Sequence, residues 1–374
     1  MLYNALDRPV ALTDEVTEAL SHGEKAVVAI GVSGGKDSTA VALATVGYLR
    51  SIDFSGQIVL IHSDLGMTEW EQSLPKCREL ARFLDLELIV TRRKAGGMME
   101  RWEGRWAANV KRYQNLECVK LILPWSTPDM RFCTSELKTS PICSELKKRF
   151  KGHVIINAVG IRRQESASRA KALVSKPNSK LTHKRITKET GLATRGIDWN
   201  PIIEWPLLDV VEIITESGLP FHEAYTRHGM SRVSCAFCIL SNACDLKNAT
   251  RAKENHDLYR RQVELEIAST FSFQAKWLGD VHLDLLSEDQ IIKLAQAKSR
   301  AERREQVEAD IPSDMLYVKG WPTRVPTRDE AENLATVRQA VAEAVGIEVS
   351  YTDADSIIGR YTELLAAKEA KAMK

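Results

Sequence analysis

A chain of 374 residues with 44% hydrophobic and 27% charged side chains and a net charge of +2 has the balance of a folded globular protein and the length for about two domains. The small net charge argues neither for nor against a polyanionic partner, which has to be read from local charge. The longest apolar runs, such as residues 26–32, are too short to span a bilayer. The amino terminus is interrupted by Asp7 and Asp14 and lacks a signal-peptide pattern, so a cytoplasmic location without a membrane partner is expected. Seven cysteines in such a chain do not suggest a disulfide framework; they are candidates for metal ligation, catalysis or plain burial.

In chain order, a helix is expected around residues 14–22. An apolar strand at 27–32 then breaks into Ser33-Gly34-Gly35-Lys36-Asp37-Ser38 and restarts as a helix to about Arg50. Strands follow at 58–62, 86–91 and 153–159, with a helix from about Glu69 to Phe83 behind a Thr68 N-cap. Strands alternating with helices imply right-handed βαβ units. The fold class is therefore α/β, a doubly wound, mainly parallel sheet with helices on both faces, and its ligand belongs beyond the carboxyl ends of the strands.

The glycine turn at 33–38 sits at that edge. Gly34 and Gly35 let the backbone approach an anion closely, and exposed amides at a helix start attract phosphate oxygens. A Walker loop needs GxxxxGK followed by Ser or Thr; here Gly31 to Lys36 is one residue short and Asp37 follows. SGGKDS in this setting resembles the pyrophosphate loop of the PP-loop ATP pyrophosphatases and of the phosphoadenylylsulfate (PAPS) reductase family. The resemblance implies an adenine nucleotide with its pyrophosphate on Ser33, Gly34, Gly35, Lys36, Asp37 and Ser38, and Mg²⁺ bridged by Asp37 and Asp64. Asp64 lies in Ser63-Asp64-Leu65-Gly66, similar to the family's Asp-Thr-Gly segment with Leu65 in place of Thr; a loop-capping role is the plainer reading.

Three further signatures carry the likeness. Arg131-Phe132-Cys133, with Lys138 and Pro141, resembles the family's second motif, though one thiol stands where the iron-sulfur reductases have a pair. Gly160-x-Arg162-x-x-Glu165-Ser166-x-x-Arg169 resembles the third. The last, ending in Arg232-x-x-Cys235 after Trp205 and Tyr225, resembles the late family segment. The likeness covers about residues 26–245 and implies catalytic roles for Lys36, Asp37, Arg131, Lys138 and Arg162, with Gly160, Arg169 and Arg232 at the nucleotide. It also sets the domains: 1–245 a PP-loop domain with a basic insertion at about 162–200 and a cysteine cluster at 235–244, and 246–374 a helical region with a polar break at about 309–326. Thr327-x-x-Glu330 opens the first of two last helices with a capping box. That region reads as a lid over the site or as a partner-docking or dimerising module, with the lid the slightly favoured reading.

Cys235-x2-Cys238-x5-Cys244 with Cys133 would make four thiolate ligands, suited to a [4Fe-4S] cluster, with structural zinc as the alternative. Two segments bear on nucleic acid. Residues 92–125 set Arg92, Arg93, Lys94, Arg101, Arg105 and Lys111 beside Trp102 and Trp106, which fits base stacking or an amphipathic helix burying its tryptophans. Between Arg162 and Arg195 ten Lys or Arg face two acids, a mobile basic loop that either orders on a polyanion or is simply solvated.

The motif set is closest to the ATP pyrophosphatases of bacterial DNA phosphorothioation systems. By that resemblance ATP is cleaved to AMP and pyrophosphate to adenylate an acceptor, DNA or RNA, for sulfur transfer. A sulfur donor such as a cysteine desulfurase and a protein complex would be the partners. PAPS reduction to sulfite is the alternative, disfavoured because every cysteine lies at or before position 244. A non-catalytic scaffold binding nucleotide and cluster is a third.

Overall fold

The computed structural model describes residues 8–372. The chain forms two compact units: residues 1–98 with 128–255, and residues 99–127 with 256–374.

The first unit is built on a sheet in the order β3-β2-β1-β4-β7-β5. Strands β1 (Ala26–Gly31), β2 (Gln57–Asp64), β3 (Glu87–Arg92), β4 (Val154–Ala158) and β7 (Ala193–Trp199) are parallel. The short β5 (Ser175–Pro177) and β6 (His183–Ile186) pair antiparallel with β7. Alternating side chains split between two cores, because successive residues of a strand face opposite ways. Val28, Ile30, Leu60 and Ile156 pack with helices α1 (Asp14–Leu20), α2 (Lys36–Ser51) and α3 (Ser73–Leu84) and with the helix Leu207–Ser217. Val27, Ala29, Val59, Ile61 and Ile155 pack on the other face against Cys143, Leu146 and Phe150 of the helix Ser140–Arg149 and the residue after it. The doubly wound, mainly parallel α/β sheet is thus covered on both sides, as buried parallel strands require.

Several local expectations change. The basic stretch is not a plain loop: residues 175–199 form β5, β6 and β7. The helix expected from Glu69 begins at Ser73, because Gly66–Thr68 makes a 3-10 turn and Glu69, in extended conformation, bridges to Cys235 instead.

The second unit is helical. Its members are α4 (Met98–Gln114) and the helices His256–Ser269, Glu288–Ala309, Arg328–Val345 and Ala354–Ala372. The expected capping box is present: Glu330 N donates to Thr327 Oγ1 at 3.3 Å and Thr327 N to Glu330 Oε2 at 2.7 Å. Residues 99–127, read from sequence as part of the first domain, lie in this unit. Trp102 and Trp125 are buried, their ring centroids 5.3 Å apart and both edge-on to Phe273. Base stacking by Trp102 is therefore replaced by core packing. Arg338, with no exposed surface, donates to the carbonyls of Tyr113, Gln114, Ser350 and Tyr351 and lies over the Tyr113 ring. One guanidinium thereby ties the excursion to the carboxyl-terminal helices.

Among the described residues, no helix is long and apolar enough to cross a membrane.

Candidate active site

The carboxyl ends of β1, β2 and β4 converge on one place. Gly31 leaves β1 into the 33–38 turn, and α2 starts at Lys36 with Gly35 as its cap. Gly34 has φ of +76°, and an added Cβ would stand 2.9 Å from the Ser73 carbonyl oxygen; only glycine meets both demands. Ser38 Oγ accepts from Ser33 N at 3.1 Å and donates to the Gly35 carbonyl at 2.8 Å, which closes the loop on itself. Tyr225 Oη accepts from both Lys36 N and Val233 N, each at 3.2 Å, fastening the turn to the 231–235 segment. The first-turn amides and the helix dipole then point at a single volume.

That volume is a cavity of about 320 Å³ lined by Ser33, Gly35, Asp37, Ser38, Gly160 and residues of four other segments. Arg131, Lys138 and Arg232 reach its wall, and among the described residues none of the three is ion-paired. Arg169 also lines it but is paired with Glu165. A second cavity of about 260 Å³ shares Gly31, Ser33, Glu69, Thr134, Lys138 and Val159 with the first and adds Val32, Ile61 and Ile142. The pair offers a cationic chamber beside a more apolar one, the division a nucleotide needs for phosphates and base.

The carboxylates are less free than their motif positions suggest. Asp37 Oδ1 accepts from Arg162 Nε at 2.6 Å, and Lys36 Nζ lies 3.8 Å from Oδ2. Arg162 is almost wholly buried and also donates to the Trp205 carbonyl. Asp64 Oδ1 accepts from Gly66 N at 2.7 Å, its other oxygen faces Arg92 at 3.6 Å, and it lines neither cavity. Asp37 thus lines the larger cavity while Asp64 caps its own loop. Lys36 is likewise engaged, by the Ser231 carbonyl at 3.1 Å and the Tyr225 ring at 4.9 Å. Of the five residues given catalytic roles, Asp37, Arg131 and Lys138 line the larger cavity, whereas Lys36 and Arg162 brace it.

Sequence reasoning missed Glu69, which lines both cavities. Its Oε2 lies 3.2 Å from Nε2 of the buried His62, whose Nδ1 faces the Val32 carbonyl at 3.0 Å. A ring nitrogen facing a carbonyl must carry the proton, and one facing a carboxylate is favoured as a donor too. Burial alone would push the His62 imidazolium down, but its bonds to Cys77 and Glu69 outweigh that and hold it up to about 10. The only sequence signal was an acid seven residues after a histidine at a strand end.

Gly160 follows β4, and an added Cβ would lie 2.5 Å from the Asp37 carbonyl oxygen. Gly160→Ala is expected to push back the first turn of α2, costing about 1–3 kcal/mol and weakening nucleotide binding roughly tenfold or more. Calorimetric titration with a nonhydrolysable ATP analogue checks this; unchanged affinity would show that the turn does not set the phosphate position.

Of the four expected cysteine ligands, Cys238 and Cys133 act electrostatically on Cys235. The thiol of Cys235 is pushed up to about 12 by burial and then by Cys238, with Cys133 acting the same way and Lys138 opposing. Cys244 is exposed in the first turn of the helix Ala243–Ala249 and is not among the groups acting on Cys235. Among the described residues no three His, Cys, Asp or Glu side chains form a group able to hold a metal ion. As placed, the four cysteines do not form a closed ligand set among the described residues.

The phosphoadenosine phosphosulfate reductase domain matches residues 27–241, more than half of the chain. The chain belongs to this family of PP-loop enzymes. No curated protein matches it at a significant level. Solved structures with which this PAPS reductase family member shares a likeness include the FMN adenylyltransferase of Candida glabrata in complex with FMN and the ATP analogue AMPCPP. It is 14% identical, covers 63% of this chain and 71% of its own, and has a TM-score of 0.33. Another is the U34-tRNA thiolase NcsA of Methanococcus maripaludis with its [4Fe-4S] cluster, at 12% identity, 69% and 72% coverage and a TM-score of 0.36. These likenesses are too distant to carry chemistry from one chain to another. For this family member the site rests on its own residues.

Proposed function

We propose that the protein is an ATP pyrophosphatase that adenylates an oxygen of a nucleic acid in preparation for sulfur transfer, of the kind used in DNA phosphorothioation. The observation that carries this reading is the trio Arg131, Lys138 and Arg232, cations without carboxylate partners around the PP-loop cavity. Three such groups are costly to hold together without an anion, and their charge matches the polyphosphate of ATP. An acceptor oxygen attacks the α-phosphorus, the bond to the bridging oxygen breaks, and pyrophosphate leaves with the electron pair. The resulting adenylate makes the acceptor oxygen part of a good leaving group, AMP, which the outer sulfur of a donor persulfide then displaces; a second thiol cleaves the resulting disulfide, taking up the donor's inner sulfur as a new disulfide and leaving the transferred sulfur on the acceptor. The chain's residues supply positioning and charge: loop amides and Lys138 on the phosphates, Arg131 and Arg232 on the developing negative charge. Asp37, neutralised by Arg162, fixes the first turn of α2.

Cys235 lies within electrostatic reach of Cys238, Cys133 and the cavity residue Lys138, which supports sulfur handling near the adenylated atom. When bound there, an iron-sulfur cluster would supply a site for the transferred sulfur, and an external donor such as a cysteine desulfurase would recharge it. Protein purified without oxygen is expected to contain iron and acid-labile sulfide; stoichiometric zinc in their place overturns that assignment.

The deciding measurement is product analysis of the anaerobic protein with Mg²⁺ and either ATP or PAPS plus a thiol reductant. AMP and pyrophosphate from ATP are expected. Sulfite from PAPS with ATP untouched would replace this reading with sulfonucleotide reduction.

A further inference from the structure

A third cavity lies at the opposite ends of the strands. About 640 Å³ in volume, it is lined by Lys147, Lys148, Lys151, Arg185 and Lys188, with Glu189 as its one acid. Among the described residues none of these five cations is ion-paired, although Arg149 beside them is held by Glu87. The lysines come from the last turn of the helix Ser140–Arg149 and the turn entering β4; Arg185 comes from β6 and Lys188 from the β6–β7 connection. Both elements meet the amino-terminal ends of parallel strands. The nucleotide cavity is at their carboxyl ends, separated by the length of β4, roughly 13 Å.

The groove is fixed rather than loose. Thr190 Oγ1 donates to the Gly152 carbonyl at 2.7 Å, Thr187 and Thr190 hydroxyls are 2.7 Å apart, and Gly152 N donates to Thr194 Oγ1 at 2.8 Å. The β6–β7 connection is thereby tied to the start of β4, which holds two sets of cations facing one channel. Ile186, two-thirds exposed, stands among them. A concave channel with unneutralised cations on both walls suits a phosphodiester backbone lying along it, and a planar anionic membrane would reach only its rim.

We infer that this groove binds the phosphate backbone of the nucleic-acid substrate and tethers it at a distance from the chemistry. The inference rests on the nucleic-acid reading above and adds where the polymer is held. Because the groove and the nucleotide cavity are at opposite strand ends, the atom that reacts and the phosphates that are gripped are different parts of the polymer. Affinity set here is sequence-independent and falls with salt.

The test is fluorescence anisotropy of a labelled 24-mer, duplex and single-stranded, against the full chain between 50 and 200 mM salt. Lys148→Glu/Lys151→Glu/Lys188→Glu is expected to bind the duplex at least tenfold more weakly. Its log K against log salt slope should be shallower by about 0.9 per cation removed. AMP formation from ATP without nucleic acid should be unchanged. If the wild type binds and the variant binds equally well with the same slope, the groove assignment is wrong while the acceptor reading stands. If the wild type binds neither 24-mer at 50 mM salt, the acceptor reading falls and the groove with it. Should the triple variant fail to fold, Lys148→Gln/Lys188→Gln replaces it, with an expected slope change of about 1.8; no change there overturns the proposal.

Discussion

Lys138→Ala is expected to lower the rate of AMP formation from ATP by about 10²–10³-fold while leaving the melting temperature nearly unchanged. Lys138 is the one cation that lines both cavities, and among the described residues it has no carboxylate partner. Its removal therefore strands no buried charge, and the stability cost is small. On the proposed reading its charge stands at the polyphosphate cavity, so its contribution should grow as negative charge develops in the transition state. The effect should fall on kcat more than on KM. Steady-state kinetics by pyrophosphate release decide it: a kcat within threefold of the wild type would remove Lys138 from the chemistry. Arg162→Ala offers the contrast, because it strips Asp37 of its partner and should cost stability as well as activity.

Glu69→Gln is expected to destabilise the fold by about 3 kcal/mol near pH 6, with a deficit that shrinks as the pH rises. His62 is buried and its charge is compensated by Glu69; with an amide there, a buried imidazolium loses its counter-charge. The folded pKa of about 10 lies above the unfolded value near 6.5. A group raised in this way contributes stability that is fully present below pH 6.5 and is lost as pH climbs through 10. The difference between wild type and variant in urea titrations should therefore be largest at pH 6 and much smaller by pH 9.5. A constant difference across that range would mean that His62 is neutral. Since Glu69 also lines both cavities, the variant should bind nucleotide less well even where it is folded.

The first four strands and the phosphate turn were legible in the sequence because they are local: continuous apolar runs, a glycine break, a helix restart. β7 was not. Its sequence Ala-Thr-Arg-Gly-Ile-Asp-Trp alternates buried with partly exposed positions inside a basic stretch. Its one inner acid, Asp198, is satisfied only by Asn157 and Asn178 at 2.8 Å each, partners supplied by other strands and turns. Glu69 escaped for the same reason, since its meaning comes from His62 and from a bridge to Cys235 far along the chain. The cysteine spacing could not show that the N-cap at Asn242 starts a helix that leaves Cys244 exposed. The signature cations Arg131, Lys138 and Arg232 line the cavity, while the motif residues Lys36 and Arg162 are engaged by Ser231 and Asp37.

The excursion of residues 99–127 has a consequence for how the protein is made. Trp102, Tyr113 and Trp125 leave the ribosome early, yet the helices that cover them begin only at His256 and finish beyond Tyr361. At about 5–20 residues per second, that leaves an apolar helix face uncovered for roughly 10–50 s. Once β7 ends at Trp199 the first unit has its whole sheet, so for the rest of that interval it can close before the second and leave the excursion as a waiting, chaperone-accessible surface. Cutting the chain after residue 255 would make that wait permanent.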